Sequence, residues 1–258
     1  MIDTILITGC SRGLGYALAT SFAQNGQNIY AVSRDEKSLE QLKAEYPELI
    51  QPIVADIATE VGRQAVTERV MRTRKPLSII HNAGIANPIP FNKMNEKILQ
   101  EHFATNVFAP LLITQQCLQL LTGQRVIHIS SGAAELALAD LLPYCASKAA
   151  LDQSTRCINK ELNSHIIYCA NLRPGMVDTP MQENFRSSAV LSMRDFYVKA
   201  QDQKQLINPS LAAKFVKWVL LNTDNNTFSS RTWNIYDPEQ HRNWVPVGTP
   251  APSFKMVD

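Results

Sequence analysis

Apolar residues along the chain arrive in two rhythms. Seven compact blocks rich in β-branched and aromatic residues predict strands at 4–8, 28–33, 51–55, 77–81, 125–130, 166–172 and 233–236. Between them apolar positions recur every three to four residues, which predicts helices near 14–25, 36–45, 59–74, 95–121, 145–163 and 209–221. Strands alternating with helices require crossover connections. The expected architecture is therefore α/β, a doubly wound parallel sheet of about seven strands with helices on both faces and right-handed crossovers.

Two segments break this rhythm. Residues 176–208 set Met176, Met181, Phe185, Met193, Phe196 and Tyr197 among polar residues, between the sixth strand and the last long helix. An insertion at the carboxyl end of a sheet strand sits where open α/β folds bind ligands, so this segment is read as a substrate lid, with a plain packing helix pair as the alternative. The tail, 238–258, carries Pro238, Pro246, Pro250 and Pro252 with Trp244 and Phe254, and predicts an extended arm. No repeat, low-complexity block or linker divides the chain, so residues 1–258 are expected to form a single domain.

Composition changes this picture little. Apolar residues make up 45% and charged residues 19% of 258, an ordinary globular balance. The net charge of +2 gives no reason to expect nucleic acid or an anionic membrane as partner. No apolar run approaches the roughly 20 residues that span a bilayer. The first residues enter a strand pattern with no basic region before an apolar stretch, so no signal peptide is expected. Five cysteines without CxxC spacing predict reduced thiols in a cytoplasmic protein, with no disulfide framework and no metal site. Cys10 and Cys145 lie next to the chemistry described below; space-filling and oxidative inactivation are both open readings for them.

The candidate chemistry begins with Tyr144 and Lys148, one helical turn apart and so on one helix face. A cation about 4 Å from a phenol favours phenolate by roughly 4 kcal/mol at an effective dielectric of about 20, about three pKa units before desolvation opposes it. That would make Tyr144 a proton donor working near neutrality. Ser131 follows the fifth strand, where its hydroxyl can reach the sheet's carboxyl edge and hydrogen-bond a substrate oxygen; Ser130 competes, and strand alternation points the two opposite ways. Near the N-terminus, Thr8-Gly9-Cys10-Ser11-Arg12-Gly13-Leu14-Gly15 runs from a strand into a helix, where unpaired N–H groups and a partial positive charge suit a pyrophosphate. A tight strand-to-helix turn is the bland alternative.

Taken in order, these features resemble the short-chain dehydrogenase/reductase family, whose loop reads TGxxxGxG. The likeness extends over essentially the whole chain and implies a Rossmann-type fold. Asp56-Ile57 resembles the family's adenine contact, and Asn82-Ala83-Gly84 its NAG element beside the cofactor. Asn106, Ser131, Tyr144 and Lys148 match its catalytic tetrad, and Pro174-Gly175-Met176-Val177-Asp178-Thr179 its nicotinamide-carboxamide stretch. The resemblance further implies that Lys148 binds the nicotinamide ribose and that Asn106 holds a water linking Lys148 to solvent. His81 stands where the family usually has Asn, and is read as structural.

Cofactor choice is expected to turn on Ser33-Arg34-Asp35 after the second strand. Arg34 and Arg12 converging on a 2′-phosphate favour NADPH/NADP+ over NADH. The counter-reading makes Asp35 a ribose-binding acid; an N-cap for the helix at 36–45 explains it better. The expected function is NADPH-dependent reduction of a ketone, diketone or aldehyde, with Tyr144 as general acid. The alternatives are an NAD(P)+-dependent alcohol or hydroxysteroid dehydrogenase and a non-catalytic nucleotide-binding protein. Residues 173–182 and 228–237 look similar to the sepiapterin reductase and benzil reductase branch, where a late Asp anchors the pterin; Asp237 is either that anchor or a surface residue. Leu136, Met181 and Phe185 suit an apolar carbonyl compound. The long helices near 95–121 and 145–163 carry more apolar residues than one buried stripe needs, so a homodimer or homotetramer is expected.

Overall fold

The computed structural model describes residues 2–162 and 166–253. Asn163, at the end of one predicted helix, and Phe254, in the tail, lie outside the described residues. The elements run β1 (Thr4–Thr8), α1 (Gly13–Ala23), β2 (Asn28–Ser33), α2 (Glu36–Glu45), β3 (Ile50–Val54), α3 (Glu60–Met71) and β4 (Ser78–His81). Then come α4 (Glu96–Phe103), α5 (Ala109–Gln116), β5 (Gln124–Ile129), α6 (Leu142–Glu161) and β6 (Ile167–Arg173). The last are α7 (Pro180–Ser187), α8 (Arg194–Asp202), α9 (Pro209–Asn222), α10 (Asn225–Ser230), β7 (Trp233–Asn234) and α11 (Pro238–Trp244).

The seven strands form one parallel sheet in the order β3-β2-β1-β4-β5-β6-β7. The order reverses between β1 and β4. There the connections leave to opposite faces and open a crevice at the carboxyl edge. Burial of β1 at all five positions follows from its central place. On one face α1 presents Leu14, Leu18 and Phe22, four residues apart, against the Phe215, Val216 and Val219 stripe of α9. On the other, Val66 and Val70 of α3 pack with Ile113 of α5 over β1, β4 and β5. Each such side chain contributes roughly 1.5–3 kcal/mol by leaving water. Arg125 ties β5 to the end of α9: it donates to the carbonyls of Leu220 and Thr223 and stacks on Phe228 at 4.8 Å.

Three expectations need correction. The pattern at 95–121 predicts one helix, but the structure divides it into α4, a π-turn at Ala104–Phe108, and α5. Ala109 N–H bonds back to Ala104 C=O, five residues earlier, and Pro110 has no N–H to continue the regular ladder. The tail is not extended from 238: Pro238–Trp244 is a helix, capped by Asp237 accepting from Glu239 N–H, and Trp244 packs 4.9 Å from Phe215. β7 stops at Asn234, shorter than predicted. The insertion at 176–208 forms the helix pair α7 and α8, its two ends joined by a bridge between Val177 and Ile207.

Candidate active site

The crevice is a cleft of about 1150 Å³ running along the carboxyl ends of the strands. At one end lies the glycine turn. Gly9 and Gly13 have φ of +77° and +57°, and a Cβ on Gly13 would sit 2.8 Å from Thr179. Arg12 caps α1 without a side-chain hydrogen bond, so the first-turn N–H groups remain free of an intrahelical partner, beside Ser11 on the cleft wall. The loop is braced from the neighbouring strand. Asn82 and Ala83 N–H groups both donate to Thr8 Oγ1 at 3.1 Å, and the Asn82 amide donates to the carbonyls of Thr8 and Gly9. Gly84 lets the chain pass close to Asn106 and Lys148: a Cβ there would lie 3.3 and 3.7 Å from their side chains.

Farther along, Ser33, Arg34, Asp56 and Ile57 line the cleft beyond β2 and β3. Asp35 caps α2, accepting from Ser38 N–H, and its own N–H is held by Ser33 Oγ. The Ser38 hydroxyl and N–H hold its carboxyl below the usual range. Asp35 is thus the N-cap that the sequence suggests, and it is not among the residues lining the cleft. Arg34 lies 3.7 Å from Asp56, a pair with 73% and 41% side-chain exposure. Such an exposed ion pair contributes at most about 1 kcal/mol, so the guanidinium is readily diverted to another anion. Pro174, Gly175, Val177 and Thr179 form the facing wall.

Opposite the glycine turn, Tyr144 and Lys148 leave the first turns of α6, both buried. Ser131 follows β5, stands beside the Tyr144 phenol where it lowers that group's pKa, and accepts from Ala133 N–H. Ser130 also lines the cleft, its Oγ buried without a partner among the described residues. Lys148 Nζ donates to Ile129 C=O at 2.7 Å and lies 5.9 Å from the Tyr144 ring centre. Asn106 sits in the π-turn. Its amide makes three hydrogen bonds to protein: Oδ1 accepts from Ile85 N–H, while Nδ2 donates to Ile85 C=O and to Ser147 Oγ. Ser147 in turn donates to Tyr144 C=O.

The electrostatics differ from the sequence estimate. Burial raises the Tyr144 phenol, and the Ser131 hydroxyl opposes it. Burial lowers Lys148 to about 8, with Asp152 opposing. Desolvation is the larger influence on the phenol, so Tyr144 rests protonated. Cys10 is sealed, its thiol pushed up to about 12 by burial, and burial also raises Cys145. Neither has the thiolate character that oxidation needs. Asp237 pairs with Arg231 at 2.6 Å and caps α11 rather than lining the cleft; its neighbour Tyr236 lines it and accepts from Met176 N–H. His81 stacks on His128 and bonds Thr114, away from the cleft wall.

Sequence reasoning missed several contributors. Ser147, Ile85 and Ile129 position the tetrad through backbone and side-chain bonds that no residue pattern advertises. A bidentate Arg173–Glu135 pair forms part of the cleft wall. The side chains of Phe185, Phe196 and Tyr197 close the cleft from α7 and α8. Their aromatic character was legible; their convergence on Tyr144 was not.

The residues present fit a nicotinamide dinucleotide: free helix N-terminal donors beside a glycine turn, a long cleft, and a protonated phenol at its far end. Comparison with known proteins agrees. A family model described as short chain dehydrogenase matches residues 3–189. An L-xylulose reductase from Caenorhabditis elegans is 34% identical over 185 residues, covering 69% of this chain and 72% of its own. A benzil reductase ((S)-benzoin forming) from Bacillus subtilis is 30% identical, covering 91% and 98%. Among solved structures, an NADPH-bound carbonyl reductase from chicken fatty liver superimposes with a TM-score of 0.76 at 25% identity, over 90% of this chain and 96% of its own. The chain belongs to the short-chain dehydrogenase/reductase family and is an oxidoreductase of that family.

Proposed function

We propose that this protein is an NADPH-dependent carbonyl reductase acting on apolar ketones, diketones or aldehydes. The observation that carries the reading is the convergence of Tyr144, Ser131, Lys148 and Asn106 on one cleft whose other end is the glycine turn. Bound there, a reduced nicotinamide supplies a hydride to the carbonyl carbon. Tyr144, kept protonated by burial, holds the proton destined for the oxygen. Ser131 orients that phenol and gives the oxygen a second donor. Lys148, cationic below about pH 8, stabilises the phenolate left behind by its charge. Ile129 C=O fixes the ammonium, and Asn106 ties the Ile85 backbone to Ser147 and hence to the first turn of α6.

For the cofactor, the glycine turn with Ser11 and Leu14 would hold the pyrophosphate, and Asp56 and Ile57 the adenine. Asn82, Ala83, Gly84, Pro174, Gly175, Val177 and Thr179 would flank the nicotinamide half. Arg12 and Arg34, at the cleft's phosphate end, support NADPH over NADH because two guanidiniums there would hold a 2′-phosphate. Leu136, Met181 and Phe185 on the wall support an apolar substrate, in line with relatives named benzil reductase. Residues 176–208 act as the wall of the substrate end within a single domain. Exposed Phe108 and Leu142, at the start of α5 and α6, support a homo-oligomer.

The test is NADPH oxidation at about 340 nm with a panel of diketones, α-hydroxyketones and aldehydes. Turnover is expected with at least one class. Tyr144→Phe should lower kcat by a factor of roughly 10² or more while NADPH still quenches protein fluorescence. Retained turnover in that variant sinks the assignment.

A further inference from the structure

Tyr197, on α8, lines the same cleft as Tyr144, and the two belong to one buried cluster with Phe185, Leu141 and Leu191. The ring is wedged 4.9 Å from Phe185 and 5.2 Å from Phe196, and the residue is 5% exposed, so the phenol is held rather than free to swing. It lies near enough to Tyr144 that ionising one opposes ionising the other. Its hydroxyl is not one of the sealed, unpartnered polar atoms among the described residues, and the residue lines the cleft. A phenol at the apolar wall of a cleft favours a hydrogen-bond partner, which a ligand in that cleft can supply. The neighbours that α7 and α8 supply, Met181, Phe185, Met193 and Phe196, offer it none.

The reacting oxygen cannot be that partner. A carbonyl oxygen has two lone pairs, and Tyr144 and Ser131 are placed together to fill both. A third donor in the same cleft therefore serves a different oxygen. Resting on the carbonyl-reductase reading above, we propose that Tyr197 is a specificity-determining residue whose hydroxyl hydrogen-bonds a second substrate oxygen near the reacting carbonyl. The preferred substrates are then α-dicarbonyl or α-hydroxycarbonyl compounds, in preference to simple ketones of equal size.

The experiment compares Tyr197→Phe with the unaltered enzyme on a matched pair, 1-phenyl-1,2-propanedione and propiophenone, with NADPH. Removing one neutral hydrogen bond should lower the ratio of kcat/KM for dione over monoketone by roughly 2- to 12-fold, chiefly through KM for the dione. Tyr197→Met removes the same hydroxyl with a different shape and should lower the ratio likewise; it stands in where the Phe variant folds poorly. A ratio unchanged in folded variants, or a loss in kcat alone for both ketones, overturns the proposal. Failure of the unaltered enzyme to reduce either ketone or any other carbonyl compound overturns the underlying reading instead, and this proposal with it.

Discussion

At the residue scale the acid–base pair carries a pH dependence that can be worked out from its environment. Tyr144 is raised by burial and so stays protonated through the neutral range; Lys148 is lowered to about 8. In the proposed reduction the active form has the phenol protonated and the ammonium charged. It is complete below about pH 8 and is lost as Lys148 gives up its proton above that value. The kcat/KM for carbonyl reduction should be level from about pH 6 to 7.5 and fall roughly tenfold per unit well above pH 8, in an assay at constant ionic strength. A profile level to pH 10 would contradict this role for Lys148. These residues were legible before any coordinates because Tyr144 and Lys148 are one turn apart and Ser131 closes a strand. The sign of the Tyr144 shift was not, because a spacing says nothing about how deeply a phenol is buried. Tyr197 shows the same limit: its residue type was visible, but only the fold brings it into the buried cluster that holds Tyr144.

At the element scale, periodicity located most strands and helices, because a parallel sheet buried on both faces leaves nearly unbroken apolar runs. It could not foresee the π-turn at Asn106. The sequence cue was Pro110, but a proline near a helix start is also ordinary. The tail helix was hidden by its prolines; Pro238 begins that helix instead of preventing it. The paired strands β4 and β5 hold another device the pattern only hinted at. His81 and His128 face each other in register and stack at 5.3 Å, and burial keeps both imidazoles neutral, His128 at about 3 with Lys148 adding repulsion. Thr114 and Thr155 hold one nitrogen of each. Because the folded values are depressed, protons bind these rings only on unfolding. Their contribution to stability is complete above the ordinary histidine value near 6.5 and declines as pH falls from there toward the folded values. Urea unfolding between pH 6 and 4.5 should show stability falling by about 1.4 kcal/mol per pH unit for each of the two histidines, besides any carboxylate effect. His81→Asn should remove one proton from that slope; an unchanged slope would show that the pair does not stay neutral in the fold.

At the scale of the whole molecule, one cleft crosses the sheet from the β2 side, past the switch point between β1 and β4, to the helices after β6. A dinucleotide lying along it would touch segments more than a hundred residues apart in sequence and bind the folded chain alone, so it should act as a thermal clamp. At about a hundred times its dissociation constant such a ligand adds roughly 2.7 kcal/mol. For a chain of this size, at about 2–4 °C per kcal/mol, the melting midpoint should rise by about 5–10 °C. Arg12 and Arg34 stand at the end where a 2′-phosphate would lie, and the Arg34–Asp56 pair is loose and solvent-exposed. NADPH should therefore raise the midpoint more than an equal concentration of NADH. Arg34→Glu should shrink the NADPH shift far more than the NADH shift, since a carboxylate there repels the added phosphate and accepts ribose hydroxyls. The measurement needs no substrate and so separates cofactor choice from turnover. Equal shifts with the two nucleotides in the unaltered chain would remove the case for NADPH and leave the rest of the site as described.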